Sequence, residues 1–342
     1  MGPESRRGRP PTRAHRPTGG RGRLTRAERI ALLLHRLSAR PGVLWSLREL
    51  SEGTGAARST ISEDLSVVRR VLESAGDGRL DSASGPAGGV RFLPALTGPR
   101  LYQAVRALAE SLAKPDRVLP GGFLFMTDVL FSPDWSRLIG ECFAGVFADA
   151  RPDVVVTVET KGIPIALMTA RAMGVPLVLL RRDARVTEGP SVSITYVSGS
   201  AQRIQSMSVP RRSLVAGARA LIIDDFMKGG GTARGMVDLL AEVGASPVAT
   251  GVVVATTQPA VKKVPDFRAL LTLEQGTEEG RPLRLRTAPW IGAQPDTRAR
   301  ASTTDLRPPR APAPRASGAG GPAARGPAPV PEGAAPPRGA AE

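Results

Sequence analysis

The stretch of this chain that decides the fold reads Ala220-Leu221-Ile222-Ile223-Asp224-Asp225-Phe226-Met227-Lys228-Gly229-Gly230-Gly231-Thr232. Its apolar start predicts a buried strand, which we expect to end at the carboxylates Asp224 and Asp225. A glycine-rich turn follows, and a helix is expected to begin at Thr232. Glycines let backbone N–H groups close on a phosphate, and a helix N-terminus adds a favourable dipole. Paired carboxylates can accept hydrogen bonds from vicinal hydroxyls, so the stretch predicts a site for a ribose 5-phosphate.

Two common phosphate-binding motifs do not fit this stretch. A nucleotide-triphosphate loop places its lysine after the glycines, whereas Lys228 precedes them here. A dinucleotide fingerprint needs a glycine at the sixth position counted from Gly229, where Arg234 stands. The stretch resembles instead the phosphoribosyl pyrophosphate (PRPP) motif of type I phosphoribosyltransferases. The alternative is an ordinary strand-to-helix turn; ligand binding is favoured because two adjacent acids at a strand end are costly without a partner.

The composition limits the class of protein. The 342 residues have room for about two domains, and the net charge of +16 is compatible with a polyanionic partner. Cys142 is the only cysteine, so no intramolecular disulfide can form, which fits a reducing cytosol. No apolar run reaches the ~18 residues that span a bilayer, and no secretory signal is visible, so we expect a cytoplasmic protein with no membrane partner. Two histidines and one cysteine are too few for a zinc site and argue against a Ser-His-Asp triad.

Both ends of the chain are predicted to be disordered. Residues 1–23 are rich in Arg, Gly and Pro, and residues 291–342 are a low-complexity sequence of Ala, Pro, Gly and Arg. Solvated extensions without a specific role are one interpretation of these tails. Weak, nonspecific attraction to nucleic acid is the other.

Residues 24–96 have the pattern of a winged helix-turn-helix domain. Three capping boxes, each followed by apolar residues at helical spacing, predict three short helices that begin near Thr25-x-x-Glu28, Ser46-x-x-Glu49 and Thr60-x-x-Glu63. A β-hairpin is predicted over residues 79–93. The third helix has a polar, basic face suited to the major groove of DNA. The predicted DNA-binding residues are Arg58, Ser59, Thr60, Ser62, Arg69, Arg70, Gly88, Gly89 and Arg91. A small helical module for protein–protein contacts is the alternative.

Residues 97–290 alternate between strand and helix patterns, which predicts an α/β domain with a mostly parallel sheet covered by helices. Ligands of such sheets bind beyond the carboxyl ends of the strands. Two loops are expected there, at residues 159–162 and 225–232.

Four pieces of this second domain are expected to converge on PRPP. Asp224 and Asp225 would bind the ribose hydroxyls, and the loop from Phe226 to Thr232 (Phe226, Met227, Lys228, Gly229, Gly230, Gly231 and Thr232) would bind the 5-phosphate. The pyrophosphate would lie at Thr160, Lys161 and Gly162, and Mg²⁺ would accompany it. Arg181 and Arg182 follow a strand and would contact the ligand or remain surface charges. Tyr196 belongs to a hairpin over residues 191–208 whose tip, Ser198-Gly199-Ser200, is either a mobile loop over the ligand or a plain edge turn.

The combination resembles the purine operon repressor family of Gram-positive bacteria over about residues 24–285. The strings that carry the resemblance are Ser59-Thr60-Ile61-Ser62-Glu63-Asp64-Leu65, Pro86-Ala87-Gly88-Gly89-Val90, Leu119-Pro120-Gly121-Gly122, Thr160-Lys161-Gly162-Ile163-Pro164, Val186-Thr187-Glu188-Gly189, Tyr196-Val197-Ser198-Gly199-Ser200 and the opening stretch.

The resemblance implies a homodimeric repressor that binds double-stranded DNA at control sites of purine synthesis genes. It also implies that PRPP weakens DNA binding and that the transferase-like domain senses PRPP without catalysis. Gly229 departs from the Ala expected in the family and from the Thr usual in active transferases, which removes a side-chain contact. The alternative is an active purine phosphoribosyltransferase with an added domain. Residues 256–290 show no convincing string for binding a purine base.

Overall fold

Two capping boxes set the start of the first two helices. The computed structural model describes residues 24–85, 88–119, 123–182, 189–197, 204–274 and 284–292. In it, the side chains of Thr25 and Ser46 accept from the backbone N–H of Glu28 and Glu49, and each glutamate accepts from the cap N–H in return. Four backbone N–H groups at these helix ends are thereby satisfied.

The third predicted capping box is wrong. Helix α3 begins two residues before Thr60, at Arg58, and its N-cap is Ala57, which makes no side-chain hydrogen bond. The first turn is closed by the Ile61 N–H, which donates to the Ala57 carbonyl at 3.0 Å, and Ile61, Asp64, Leu65 and Val68 lie on the buried side of the helix. The helix ends as predicted at Gly76, which adopts the left-handed conformation with φ of 70°.

The winged helix-turn-helix is confirmed. Its elements are α1 (Arg26–Ala39), α2 (Leu47–Thr54), α3 (Arg58–Ala75), β1 (Arg79–Ala83) and β2 (Gly89–Leu93). Strands β1 and β2 form the antiparallel wing, and Trp45 adds a bridge to Val90 through two backbone hydrogen bonds of 2.8 Å. A β-carbon at Gly89 would lie 2.3 Å from the carbonyl oxygen of Trp45, so this bridge requires glycine.

A buried carboxylate fixes α3 against α1. Asp64 is only 1% exposed, and its two oxygens accept from Arg26 Nε at 3.3 Å and Arg29 Nε at 2.9 Å. Arg29 is largely buried with it, whereas Arg26 remains exposed. The recognition helix is therefore held by a charge-assisted contact as well as by apolar packing.

The second domain is built on one twisted sheet. Its elements are α4 (Gly98–Leu112), β3 (Val118–Leu119), β4 (Phe123–Leu124), α5 (Thr127–Leu130), α6 (Pro133–Val146), β5 (Val154–Val158), α7 (Ile163–Met173), β6 (Leu177–Leu180), β7 (Ser191–Val197), β8 (Ile204–Pro210), β9 (Arg219–Met227), α8 (Gly231–Glu242), β10 (Ser246–Thr256), β11 (Arg268–Glu274) and β12 (Arg284–Thr287). The sheet order is β12-β11-β10-β9-β5-β6, and only β12 is antiparallel to its neighbour.

Alternate residues of the central strands serve two different cores. On one face, Val155 and Leu221 pack with helices α4, α6 and α7. On the other face, Val156 and Ile222 pack with α8 and the β7–β8 hairpin. Burial on both faces explains the continuous apolar runs of these strands and confirms the predicted mostly parallel sheet.

Three element boundaries differ from the sequence predictions. Strand β9 continues through both acids to Met227, because it pairs with β10 as far as Met227↔Ala255. Helix α8 begins at Gly231 and has Gly230 as its N-cap, so Thr232 lies within the first turn. Ile291, assigned to the C-terminal tail, is buried in the core, so the folded region extends beyond residue 290. The tail at 1–23 and residues 293–342 lie outside the described residues.

The Asp64 contact gives a stability prediction. Asp64→Ala should lower the free energy of unfolding by about 1–3 kcal/mol, because it leaves the guanidinium of Arg29 buried without its partner. Urea-induced unfolding of the full chain, followed by circular dichroism, measures the change. Glu52→Ala is the control, since Glu52 pairs with Arg48 at 2.7 Å on an exposed helix surface and should contribute no more than about 0.5 kcal/mol. Equal midpoints for the two variants would contradict the anchoring role of Asp64.

Candidate functional site

The two predicted ligand loops meet at the carboxyl end of the sheet. A β-carbon at Gly162 would lie 2.3 Å from Thr157 Oγ1 and 3.4 Å from Asp224 Oδ1. Glycine is therefore required where the 159–162 loop crosses the ends of β5 and β9. Thr157 Oγ1 is fully buried beneath this loop and has no hydrogen-bond partner among the described residues. The structure thus brings Gly162 and Asp224 to one place.

A divergence of two strands opens space around the acids. Pairing of β5 with β9 ends at Val156↔Ile222, whereas β9 and β10 remain paired up to Met227. Asp224 and Asp225 lie just past the point where β5 departs. Their strand is held on the β10 side only, and loop 159–162 covers the other side. This geometry places the acids inside a strand and still leaves them next to a loop.

The two carboxylates have different environments. Asp224 is 6% exposed, whereas Asp225 is half-buried, and the Asp225 N–H donates to Asp224 Oδ1 at 2.9 Å. Burial raises the pKa of Asp224 well above its usual value, and the negative charge of Asp225 raises it further. A positive group or a hydrogen-bond donor from a ligand would relieve this cost, which is typical of functional sites.

The glycine loop opens helix α8. Gly230 has φ of 77°, a left-handed conformation that favours glycine, and caps the helix without a side chain. The first N–H groups of a helix lack intrahelical partners and form a ready anion site. Gly230 and Gly231 are buried, so the turn is held by its surroundings as well as by its own sequence.

The segment after β10 supports this loop, which the sequence analysis did not foresee. Lys263 donates its backbone N–H to the Gly229 carbonyl at 3.0 Å. The Lys262 ammonium donates to the Lys228 carbonyl and, at 3.2 Å, to Thr256 Oγ1. Partial burial lowers the pKa of Lys262. No sequence motif marks these two lysines, because their relation to the loop depends on where the chain turns after β10.

Tyr196 belongs to the wall of the site. It lies in strand β7 and is 8% exposed, and its ring covers Gly235 of α8, where a β-carbon would be 2.9 Å from Tyr196 Cγ. Its hydroxyl donates to Gln205 Oε1 at 2.9 Å, and burial raises its pKa. The predicted loop tip Ser198-Gly199-Ser200 lies outside the described residues.

The two predicted arginines are tied to the start of the 159–162 loop. Arg181 Nη1 lies 3.5 Å from Glu159 Oε2, and the backbone N–H of Arg182 donates to Glu159 Oε1 at 2.9 Å. Arg182 is exposed, and its charge counteracts the raised pKa of Asp224. Lys161 and Thr160 are exposed on the same loop. The described residues contain no group of three or more metal-ligating side chains, and none of their helices could cross a membrane.

A second candidate site is a groove in the winged-helix domain. It runs between α3, the start of α2 and the wing, and three arginines (Arg48, Arg58, Arg69) and four serines (Ser46, Ser62, Ser66, Ser82) line it. Arg69 Nη2 donates to Ser82 Oγ at 2.6 Å, so this arginine joins the recognition helix to the wing. Ser59 and Arg70 are exposed on α3, and Thr60 is half-buried.

The predicted wing residues have structural roles of their own. Arg91 pairs with Asp81 across the wing at 3.3 Å. A β-carbon at Gly88 would lie 2.4 Å from the Ala83 carbonyl oxygen, so glycine is required in this turn. Arg48 and Ser46 were not predicted for this surface, because only the fold brings the start of α2 beside α3.

The buried carboxylate gives a prediction that does not depend on the ligand. Asp224→Asn should raise the free energy of unfolding at neutral pH by roughly 0.5–2 kcal/mol, the usual size of a stabilising substitution. Because the folded-state pKa is raised, the charged carboxylate costs stability as pH rises from the usual Asp value through the folded value. The gain should therefore vanish in acid. Urea unfolding between pH 4 and pH 8 measures the gain in unfolding free energy. Asp225→Asn, at the half-buried neighbour, should raise the unfolding free energy by less. A constant gain across this pH range would contradict the origin assigned here.

Comparisons with known proteins agree with both domains. A family model described as "Bacterial purine repressor, N-terminal" matches residues 25–94, and one described as "Phosphoribosyl transferase domain" matches residues 130–280. The xanthine phosphoribosyltransferase of Deinococcus deserti is 35% identical over 154 residues, which is 44% of this chain and 80% of that protein. A crystal structure of adenine phosphoribosyltransferase from Rhodothermus marinus matches 50% of this chain and 99% of its own, with 22% identity and a TM-score of 0.42.

Longer relatives span both domains. The purine biosynthesis transcriptional repressor PurR of Bacillus subtilis is 44% identical over 248 residues, which covers 72% of this chain and 87% of the relative. The purine biosynthesis transcriptional activator PurR of Lactococcus lactis is 37% identical over 252 residues, which covers 74% and 93%. The resemblance found in the sequence is thereby confirmed, and the chain belongs to the PurR family of bacterial transcriptional regulators of purine biosynthesis.

Proposed function

We propose that this protein is a homodimeric DNA-binding repressor of purine biosynthesis genes, that PRPP bound in its phosphoribosyltransferase-like domain weakens DNA binding, and that the domain does not catalyse transfer. It acts in the cytoplasm. The observation that carries the proposal is the close approach of Gly162 to Asp224 in a chain that also carries a winged helix. The site for an activated ribose and the basic groove then belong to one polypeptide.

The geometry supports PRPP because each part of the ligand has a matching group. Asp224 and Asp225 present acceptors for the ribose hydroxyls, and the start of α8 presents N–H groups to a 5-phosphate. Lys161 and the backbone at Gly162 lie on the neighbouring loop, where the pyrophosphate would be bound. Two carboxylates are fewer ligands than Mg²⁺ requires, so Mg²⁺ would enter with the pyrophosphate oxygens as additional ligands.

The groove of the winged-helix domain supports duplex DNA as the partner. Arg48, Arg58 and Arg69 provide positive charge at both edges of α3, and the serines provide short hydrogen-bonding groups. Phosphate contacts make DNA affinity fall steeply with salt. A homodimer would present two such domains to the two halves of a control site.

The central experiment is a fluorescence anisotropy titration of the full chain on DNA from upstream of purine synthesis genes, with and without PRPP and Mg²⁺. PRPP should lower DNA affinity by about 5- to 150-fold, the range of a coupling free energy of ~1–3 kcal/mol. Asp224→Ala combined with Asp225→Ala should remove this response and retain DNA binding. Unchanged DNA affinity at saturating PRPP in the parent chain would rule out the sensor.

The alternative is an active purine phosphoribosyltransferase. The observation in its support is the 35% sequence identity with the xanthine phosphoribosyltransferase of Deinococcus deserti. A steady-state assay with adenine, guanine, hypoxanthine and xanthine distinguishes the two. Nucleotide formation at an enzymatic rate would overturn the noncatalytic part of the proposal. The direction of control, repression or activation, is decided by transcription from a purine promoter in vitro, since the relatives include both kinds of regulator.

Two arginines of α3 test the DNA surface. Arg69→Ala with Arg70→Ala should weaken DNA binding and reduce the slope of log affinity against log salt by about 2, close to one per lost phosphate contact. Calorimetry should show unchanged PRPP affinity. Arg106→Ala with Arg212→Ala is the control, because it removes two exposed arginines that lie outside the groove. An equal loss in both double variants would indicate a general charge effect and refute a specific groove.

Lys262 tests the support of the phosphate loop. Lys262→Gln should weaken PRPP binding about 3- to 10-fold, because one hydrogen bond that holds the Lys228 carbonyl is lost. Lys263→Gln removes the neighbouring charge but keeps the backbone N–H that binds Gly229, so it should have little effect. Since the pKa of Lys262 is lowered, PRPP affinity of the parent should begin to fall at a pH below the usual lysine value. Calorimetry across pH 7–10 measures the PRPP affinity of the parent and of both variants. Equal losses of PRPP affinity in Lys262→Gln and Lys263→Gln would mean that only the lost positive charge matters.

A further inference from the structure

One helix joins the proposed PRPP site to the winged-helix domain. Helix α7 (Ile163–Met173) has as its N-cap Gly162, the glycine that lies against Asp224. It ends at Gly174, which is left-handed with φ of 70° and caps the helix through N–H contacts to Ala170 and Arg171. At 1.5 Å per residue, its eleven residues span about 16 Å.

The far end of this helix meets the DNA-binding domain at a close backbone contact. Gly42, in the turn after α1, has φ of 74°, and a β-carbon there would lie 2.1 Å from Gly174 Cα. A β-carbon at Gly174 would lie 2.4 Å from Gly42 Cα. No side chain can be interposed without moving the two backbones apart. The described residues of both domains lie within one compact unit.

Gly42 is in turn bonded to the wing. Its N–H donates to the Phe92 carbonyl of β2 at 2.8 Å. The turn therefore connects α1, which anchors the recognition helix through Asp64, with the strand that carries the wing. A displacement at Gly42 would shift the wing, which borders the basic groove, and α1, which holds α3 in place through Asp64.

Helix α7 is packed so that it moves as a unit. Ile165 and Ala166 are fully buried, and Thr169 Oγ1 donates to the Ile165 carbonyl at 2.8 Å. A β-carbon at Gly140 of α6 would lie 2.6 Å from the backbone of Met168, so the two helices are in close contact along their length. Close packing of this kind transmits a displacement at one end of the helix to its other end.

Other contacts across the junction include an ion pair and a backbone hydrogen bond. Arg100 pairs with Asp77 at 2.7 Å, and the Leu96 N–H donates to the Glu141 carbonyl at 3.0 Å. A cavity of about 380 Å³ lies between the domains and is lined by Ser38, Pro41, Arg137 and Arg171 among others. Polar and ionic contacts at the rim can adjust, while the glycine contact cannot be compressed.

We propose that α7 transmits occupancy of the PRPP site to the winged-helix domain through the contact between Gly42 and Gly174. This rests on the proposed function. Ligand binding at the 160–162 loop repositions the start of α7, the packed helix carries the shift to Gly174, and Gly42 moves the wing and α1 relative to each other. The PRPP site and the DNA-binding groove are thereby coupled through helix α7, which contacts the winged-helix domain at Gly42.

The test is a set of glycine-to-alanine variants of the full chain. Gly42→Ala and Gly174→Ala insert a methyl group into the contact. Gly55→Ala and Gly217→Ala are matched controls, because these glycines have φ of 70° and 82° but nothing within 4 Å of an added β-carbon. For each chain, calorimetry gives PRPP affinity and anisotropy gives DNA affinity with and without PRPP. The measured quantity is the ratio of the two DNA affinities.

The contact variants should bind PRPP like the parent and lose the response, with an affinity ratio below about 2-fold, whereas the controls should retain the parent's ratio of about 5- to 150-fold. Contact variants that bind PRPP and respond like the parent would overturn the α7 proposal alone. A parent chain without any response would overturn the proposed function and, with it, the coupling.

A second measurement guards against variants that do not fold. Hydrogen exchange of the unmodified chain, followed by mass spectrometry, should change on PRPP binding in peptides that cover residues 40–43 and 170–175. Peptides around Gly55 should not change. Unchanged exchange at both glycines under conditions where PRPP releases DNA would overturn the proposal.

Discussion

The structure depends on how closely the 159–162 loop can approach strand β9. Gly162 lies where any side chain would collide with Thr157 Oγ1 and press against Asp224. The loop can occupy this position only because β5 and β9 part after Val156↔Ile222. The same separation leaves Asp224 buried beside Asp225, with a raised pKa that burial and the neighbouring charge both explain. The charged carboxylates lower the stability of the empty site. Hydrogen-bond donors of a ligand, or a cation bound with it, can offset this cost.

Glycine has a second use at the junction of the domains. Domain contacts within one chain are commonly polar and adjustable, and the pair of Arg100 with Asp77 fits that description. The Gly42–Gly174 contact is different, because two left-handed turns meet without side chains between them. One short helix thus has a glycine at each end, the first against the proposed ligand site and the second against the winged-helix domain. The proposed sensor and its coupling therefore both depend on a close approach that only glycine permits, to side-chain oxygens at Gly162 and to backbone at Gly42 and Gly174.

The sequence predicted much of the fold for identifiable reasons. The capping boxes at Thr25 and Ser46 are local patterns, and both form as predicted. The apolar runs of β5 and β9 reflect burial on two faces, which sequence alone expresses clearly. The box at Thr60 failed because the turn after α2 is short: Gly55 caps α2, and the bond from the Ile61 N–H to the Ala57 carbonyl already closes the first turn of α3. The end of β9 was misplaced because pairing with β10 carries two acids into the strand, a long-range effect that local composition does not record.

The residue types of the candidate site could be predicted from the sequence, because few functions require carboxylates, glycines and a lysine together at this spacing. The sequence by itself therefore determined the two domains' classes, the acid pair and the glycine loop. Only the tertiary structure decided that Gly162 lies on Asp224, that Lys262 and Lys263 hold the loop, and that Gly42 meets Gly174. Each of these contacts joins residues far apart in the chain, and their distances are set by how strands and helices pack, which no local pattern encodes.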